Sequence, residues 1–187
     1  MKQIIPTGDS GTGLGPGGRR LEGPPLENSS EKSTRPLVEE SPARSKTVLI
    51  ADDDASVCQM LGRVLESEQY KVVRAKTGLD AAAIFLAAPP DLVLLDLNMP
   101  VKDGWEAFHL MHAAKPTIPI IIITARPSQQ EQATRMGADA LMEKPLDLSV
   151  LLGTIGKLLA ESEAERTQRL NNPKFKSPYL NQRLKTA

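Results

Sequence analysis

The stretch Asp91–Pro100, DLVLLDLNMP, constrains this chain more than any other. Leu92, Val93, Leu94 and Leu95 form an unbroken apolar run, the pattern of a strand covered on both faces, and such strands belong to parallel sheets sheltered by helices. The run ends in Asp96, and Pro100 stiffens the turn that follows. A buried strand carries charge only at high cost, but its carboxyl end opens onto the crevice where open parallel sheets bind ligands. Asp96 is therefore poor core and good chemistry.

The same grammar recurs along the chain. TVLIA at Thr47–Ala51 runs into Asp52, Asp53 and Asp54. Val57, Met60, Leu61, Val64 and Leu65 follow at helical spacing, with Asp53 or Asp54 placed to cap the helix and favour its dipole. Lys71–Ala75 reads as a brief strand, and Thr77–Ala88 as an Ala-rich helix closed by Pro89 and Pro90. After the DLVLLDLNMP strand, Gly104 lets the chain turn into a helix bearing Trp105, Phe108 and Met111. Pro119–Thr124, PIIIIT, is a second fully apolar strand with a polar end. The next helix, about Ser128 to Met136, offers little beyond Ala133 and Met136 to a core and is expected to be the least firmly held. Asp139–Glu143 forms the last strand and leads to Lys144 and Pro145. Leu148, Leu151, Leu152, Ile155, Leu158 and Leu159 then line one stripe of a final helix. Strands alternating with helices predict an open α/β fold, a parallel sheet with helices on both faces.

Composition divides the chain into three. Residues 1–45 are rich in Gly, Pro, Ser and Glu, show no apolar periodicity and are expected to be a disordered extension. Gly13, Gly15 and Gly18 satisfy G-x-G-x-x-G there, but with no strand before them and Pro16 between them they read as linker. Residues 46–161 hold the core and carry fifteen acids against eleven bases; residues 162–187 carry two acids against six bases. That last segment reads as a basic, disordered tail, too short for a DNA-binding domain with its own core. Cys58 is the single cysteine, which excludes an intrachain disulfide and suits a reducing compartment. With no signal-peptide pattern and no apolar run long enough to span a membrane, a cytoplasmic location is expected.

The polar groups at the strand ends are Asp52 and Asp53, Asp96, Thr124 and Lys144. Carboxylates converging on one small pocket repel by about 4 kcal/mol per pair at 4 Å and an effective dielectric near 20, so they stay protonated or bind a cation. An all-oxygen set of this kind suits Mg2+. In order, DDD, LLDLNMP, ITA and EKP at successive strand ends resemble the receiver domain of two-component response regulators, over roughly residues 46–160. The resemblance implies a flavodoxin-like, five-stranded sheet of order 2-1-3-4-5 and a phosphorelay role. It makes Asp96 the phosphoacceptor, served by a sensor histidine kinase or a histidine phosphotransfer protein. Asp53 and Asp96 would ligate Mg2+ directly, Asp52 through water and Asn98 through its backbone carbonyl, while Thr124 and Lys144 would meet the phosphoryl oxygens.

Such a domain catalyses its own phosphorylation and slow dephosphorylation, keeps the product and is not a turnover enzyme. The expected output is phosphorylation-dependent binding of a downstream protein, with dimerisation one form it could take. The alternative is a non-phosphorylated adaptor that uses the fold for docking; a related hydrolase would need an acid where Asn98 stands. Receivers commonly carry Tyr or Phe three positions before the lysine, where this chain has Leu141. Arg126 and Asn98 occupy positions associated with phosphoryl lifetime. His109 and His112, three apart on one helix, lack an evident third metal ligand and read as a helix face, and Cys58 reads as a core or near-core residue.

Overall fold

The structure, a computed structural model, describes residues 45–99 and 103–180. Residues 1–44, with their glycine pattern, and Pro100 lie outside the described residues.

Five parallel strands form one sheet: β1 (Thr47–Ala51), β2 (Lys71–Ala75), β3 (Leu92–Asp96), β4 (Ile120–Thr124) and β5 (Ala140–Glu143). Their order is β2-β1-β3-β4-β5, the flavodoxin-like order 2-1-3-4-5 that the resemblance implied. Because side chains alternate across a strand, each apolar run feeds two cores. Leu49, Val93, Leu95, Ile120, Ile122 and Leu141 face one cluster, with α2 (Gly78–Ala87), α3 (Gly104–Ala114) and α4 (Gln130–Met136) laid over it. Val48, Ile50, Leu92, Leu94, Ile121, Ile123 and Met142 face the other, covered by α1 (Ala55–Ser67) and α5 (Leu148–Ala160). This two-sided burial is why the strands read as unbroken hydrophobic runs.

The helix starts lock the strand ends in place. Asp54, rather than Asp53, caps α1 by accepting from the Ser56 and Val57 amides. Asp103 caps α3 and Asp147 caps α5. Gly104 packs so tightly on the end of β3 that a Cβ would lie 2.4 Å from the Asp96 carbonyl oxygen and 2.5 Å from the Leu97 Cα. Only glycine lets α3 begin there, against the strand end that presents Asp96.

The tail differs from its expected form. Over residues 162–180 it is folded, not a solvated extension. Ser162 and Glu165 form a capping box at the start of a sixth helix, α6 (Glu163–Leu170). Arg166, 3% exposed, donates to both oxygens of Asp139, which lies just before β5, and Arg169 donates to Asp139 and Glu161. Asp139 also accepts from the Ile120 amide. Charge pairing orders this helix; Arg166 is its buried residue, so an apolar stripe could not have announced it. Beyond α6 the chain reaches β5, where Tyr179 forms a parallel bridge with Leu141. Among the described residues no helix is long and apolar enough to cross a membrane.

Candidate phosphoacceptor site

β1 and β3 are neighbours in the sheet, paired from Val48↔Leu92 to Ala51↔Leu95, so the residues just past Ala51 arrive beside Asp96. Asp52 and Asp96 are each 2% exposed, and Asp53 is exposed at the rim. One carboxylate oxygen from each of Asp52, Asp53 and Asp96 lies within 4.8 Å of the others. Each buried carboxylate commits one oxygen to its own turn: Asp52 Oδ1 accepts from the Asp54 amide at 2.9 Å, and Asp96 Oδ1 from the Asn98 amide at 3.0 Å. Their other oxygens face Lys144, whose Nζ donates to Asp52 Oδ2 at 2.8 Å and Asp96 Oδ2 at 2.9 Å. The lysine arrives there because its backbone amide donates to the Thr124 carbonyl, carrying the β4–β5 pairing one residue past β5. The Lys144–Pro145 peptide that follows is cis.

Among the described residues, three carboxylates against one ammonium leave an acidic excess. Burial pushes the Asp52 carboxyl above its usual range, with the Lys144 hydrogen bond opposing. Burial works against the Lys144 ammonium, but its hydrogen bonds to Asp52 and Asp96 prevail and hold its pKa above the ordinary value. A divalent cation is the group that would relieve the excess, and the donor set, carboxylate oxygens with one on the exposed rim, fits Mg2+ and its retained waters. Asn98 stands beside the cluster through its amide contact with Asp96.

Thr124, fully buried at the end of β4, accepts from the Arg126 amide at 3.0 Å through its Oγ1. The loop it begins folds toward α3. The Arg126 guanidinium donates to the Asn98 side-chain oxygen and reaches Asp103 at 3.4 Å, and Trp105 Nε1 donates to Gln129 Oε1 at 3.2 Å. The structure thus brings Asp52, Asp53, Asp96, Asn98, Thr124 and Lys144 to the same end of the sheet. Asp103 and Gln129 escaped the sequence reading; only the capping position of Asp103 before Gly104 hinted at a role. Cys58 is buried, its thiol donating to the Asp52 carbonyl. Of the two histidines on α3, His109 is exposed, while His112 is half-buried and stacks on Phe108.

The chain matches the response regulator receiver domain family over residues 48–156. It is 33% identical over 124 residues to transcriptional regulatory protein GlrR of Escherichia coli (strain K12), an alignment covering 65% of this chain and 28% of that protein. It is 33% identical over 123 residues to response regulator MprA of Mycobacterium bovis (strain BCG / Pasteur 1173P2), covering 65% of this chain and 54% of MprA. The chain therefore spans about half or less of the length of these relatives. Among solved structures, a CheY-like receiver domain protein from Methanospirillum hungatei JF-1 superposes with a TM-score of 0.60 at 28% identity, covering 66% of this chain and 98% of that one. Response regulator TrrA from Thermotoga maritima, solved in complex with Mg2+ and BeF, gives 0.57 at 28% identity, covering 60% and 98%. With more than half of its length matched, its strand order in agreement and its acidic cluster at the expected edge, the chain belongs to the response regulator receiver domain family.

Proposed function

We propose that this protein accepts a phosphoryl group on Asp96 from a phosphohistidine of a sensor histidine kinase or histidine phosphotransfer protein. The observation that carries the reading is the acidic excess at the strand ends, where the described residues place two buried aspartates and one exposed aspartate with one lysine. A carboxylate oxygen of Asp96 attacks phosphorus as the phosphorus–nitrogen bond to the imidazole breaks, leaving the imidazole with the electron pair and an acyl phosphate on the protein. Lys144 holds a positive charge within reach of the phosphoryl oxygens, and the Thr124 hydroxyl, at the end of β4, donates a hydrogen bond to them. Asp52, Asp53, Asp96 and the Asn98 carbonyl would hold Mg2+. When bound, Mg2+ offsets the negative charge that otherwise repels an incoming phosphoryl group.

The protein keeps the phosphoryl group it takes, so the outcome is a change of state read by another protein in the cytoplasm or by a second copy. The decisive experiment is incubation with acetyl phosphate and Mg2+ followed by intact-mass measurement. A gain of about 80 Da, one phosphoryl group, is expected, and it should vanish in Asp96→Asn. No adduct, or an adduct that survives the substitution, overturns the reading and leaves a docking adaptor in its place.

A further inference from the structure

β5 is the last strand of the sheet, and its free edge would expose unpaired backbone groups. The chain covers that edge with its own residues. The Leu141 amide donates to the Pro178 carbonyl at 2.9 Å, and the Leu180 amide donates to the Leu141 carbonyl at 2.9 Å. The segment behaves as a short extra strand, with consecutive side chains on opposite faces. Tyr179 packs on the cluster under α2, α3 and α4, and Leu180 on the cluster under α1 and α5. Just before them, Ser177 is fully buried. Its amide donates to Thr134 Oγ1 at 3.1 Å, its hydroxyl to the Ala138 carbonyl at 2.6 Å, and its carbonyl accepts from Gln130 Nε2 at 3.4 Å. The Tyr179 hydroxyl donates to Glu143, a contact that also pushes the phenol up to about 12.

The supports of this tip lead back to the phosphoacceptor pocket. Glu143 precedes Lys144 and is in register with Thr124. Gln130 and Thr134 lie on α4, the helix that follows the loop that begins after Thr124 and carries Arg126. α4 has no side-chain N-cap, and it reaches the core through the buried Ala133 and the partly buried Met136. The other end of the segment is anchored elsewhere: Arg166 and Arg169 grip Asp139 and Glu161, near the amino end of β5. A movement of Thr124 and Lys144 toward a phosphoryl group would disturb the supports of the tip and spare its root.

We propose that residues Asn172–Leu180 form a cis-acting strap that covers the β5 edge and the α4 flank while Asp96 is unmodified, and that phosphorylation of Asp96 lifts the strap's tip while α6 stays docked. The strap closes the surface on which a partner could add an extended segment to β5, so that surface opens only in the phosphorylated state. This rests on the phosphoacceptor reading of Asp96.

The test is amide hydrogen exchange on the full chain with Mg2+, with and without acetyl phosphate, with intact mass read on the same samples. In phosphorylated protein the Leu141 and Leu180 amides are expected to exchange at least about tenfold faster, while amides of α6 keep their protection. Asp96→Asn should show no change on adding acetyl phosphate. In the unphosphorylated chain, Tyr179→Phe keeps the ring, loses the Glu143 contact and should raise exchange at Leu180 a few-fold; unchanged exchange there removes Glu143 as a support and overturns the coupling. An adduct with unchanged exchange at Leu141 and Leu180 sinks the strap and leaves the phosphoacceptor standing. Absence of an adduct takes both down.

Discussion

The two ends of the sheet carry opposite kinds of charge cluster. At the carboxyl end, the described residues gather Asp52, Asp53 and Asp96 with one ammonium, that of Lys144, which pairs with Asp52 and Asp96. At the amino end, Asp139 and Glu161 face two guanidiniums, those of Arg166 and Arg169. Both clusters bury an aspartate almost completely, so both incur a desolvation cost of several kcal/mol that pairing must offset. The amino-end cluster closes on itself: every charge has a partner, and the Ile120 amide gives Asp139 a further hydrogen bond. The carboxyl-end cluster is left two charges short, the charge of one divalent cation. Balanced ions hold structure; unbalanced ones leave room for a ligand.

The largest expected effect breaks the balanced end. Replacing Arg166 by Met leaves Asp139, 1% exposed, with only the more exposed Arg169. Breaking a buried pair costs about 3–5 kcal/mol, and the surviving Arg169 contact places this variant toward the lower figure. Urea unfolding should show the loss as a lowered midpoint. A loss below about 1 kcal/mol would mean the pair behaves as a surface one and would erase the contrast between the two ends.

The opposite end should respond in the opposite sense. Asp96→Asn removes one of three crowded carboxylates and leaves Lys144 paired with Asp52, so stability without Mg2+ should hold or rise by up to about 1 kcal/mol. Saturating Mg2+, at about a hundred times its dissociation constant, should stabilise the unsubstituted protein by about 2.7 kcal/mol. The same addition should do little for Asp96→Asn. Thermal unfolding with and without Mg2+ reads both effects independently of any phosphoryl transfer. If Asp96→Asn destabilises as Arg166→Met does, the carboxyl-end cluster is structural after all.

The same contrast explains what the sequence could disclose. LVLL and IIII are visible as strands because both faces of a parallel sheet are buried, and Asp52, Asp96, Thr124 and Lys144 are visible because each stands where an apolar run stops. The position of Lys144 Nζ between Asp52 and Asp96, from 92 and 48 residues away, follows from the strand order. The amino-end cluster has no such signature. EAERTQRL is nearly all polar, and its order comes from Arg166 meeting Asp139 across 27 residues of chain, a pairing without periodicity. The local clue was Ser162 three residues before Glu165, a capping box. Further on, Tyr179 and Leu180 in a polar context marked residues with something to pack against. Leu141, which stands three positions before Lys144 where receivers commonly carry a ring, is where the strap brings Tyr179.

The smallest expected effect sharpens the amino end. His112 on α3 is half-buried, and its Nδ1 has no hydrogen-bond partner among the described residues. Burial, with the nearby Arg166 charge adding and Asp139 opposing, pushes its pKa below the ordinary 6.5. A histidine depressed in the folded state is protonated first in the unfolded chain, so as pH falls below about 6.5 the unfolded state takes up protons that the folded state refuses. Its contribution is therefore fully present above that pH and is lost as pH falls toward the folded pKa. His112→Gln cannot take up that proton. Between about pH 7.5 and about pH 5.5 the unsubstituted protein should lose more stability than the variant, read as the difference in urea midpoints. Equal losses would show that proton uptake at His112 does not disturb the balanced cluster, and that the cluster tolerates a third cation beside its two arginines.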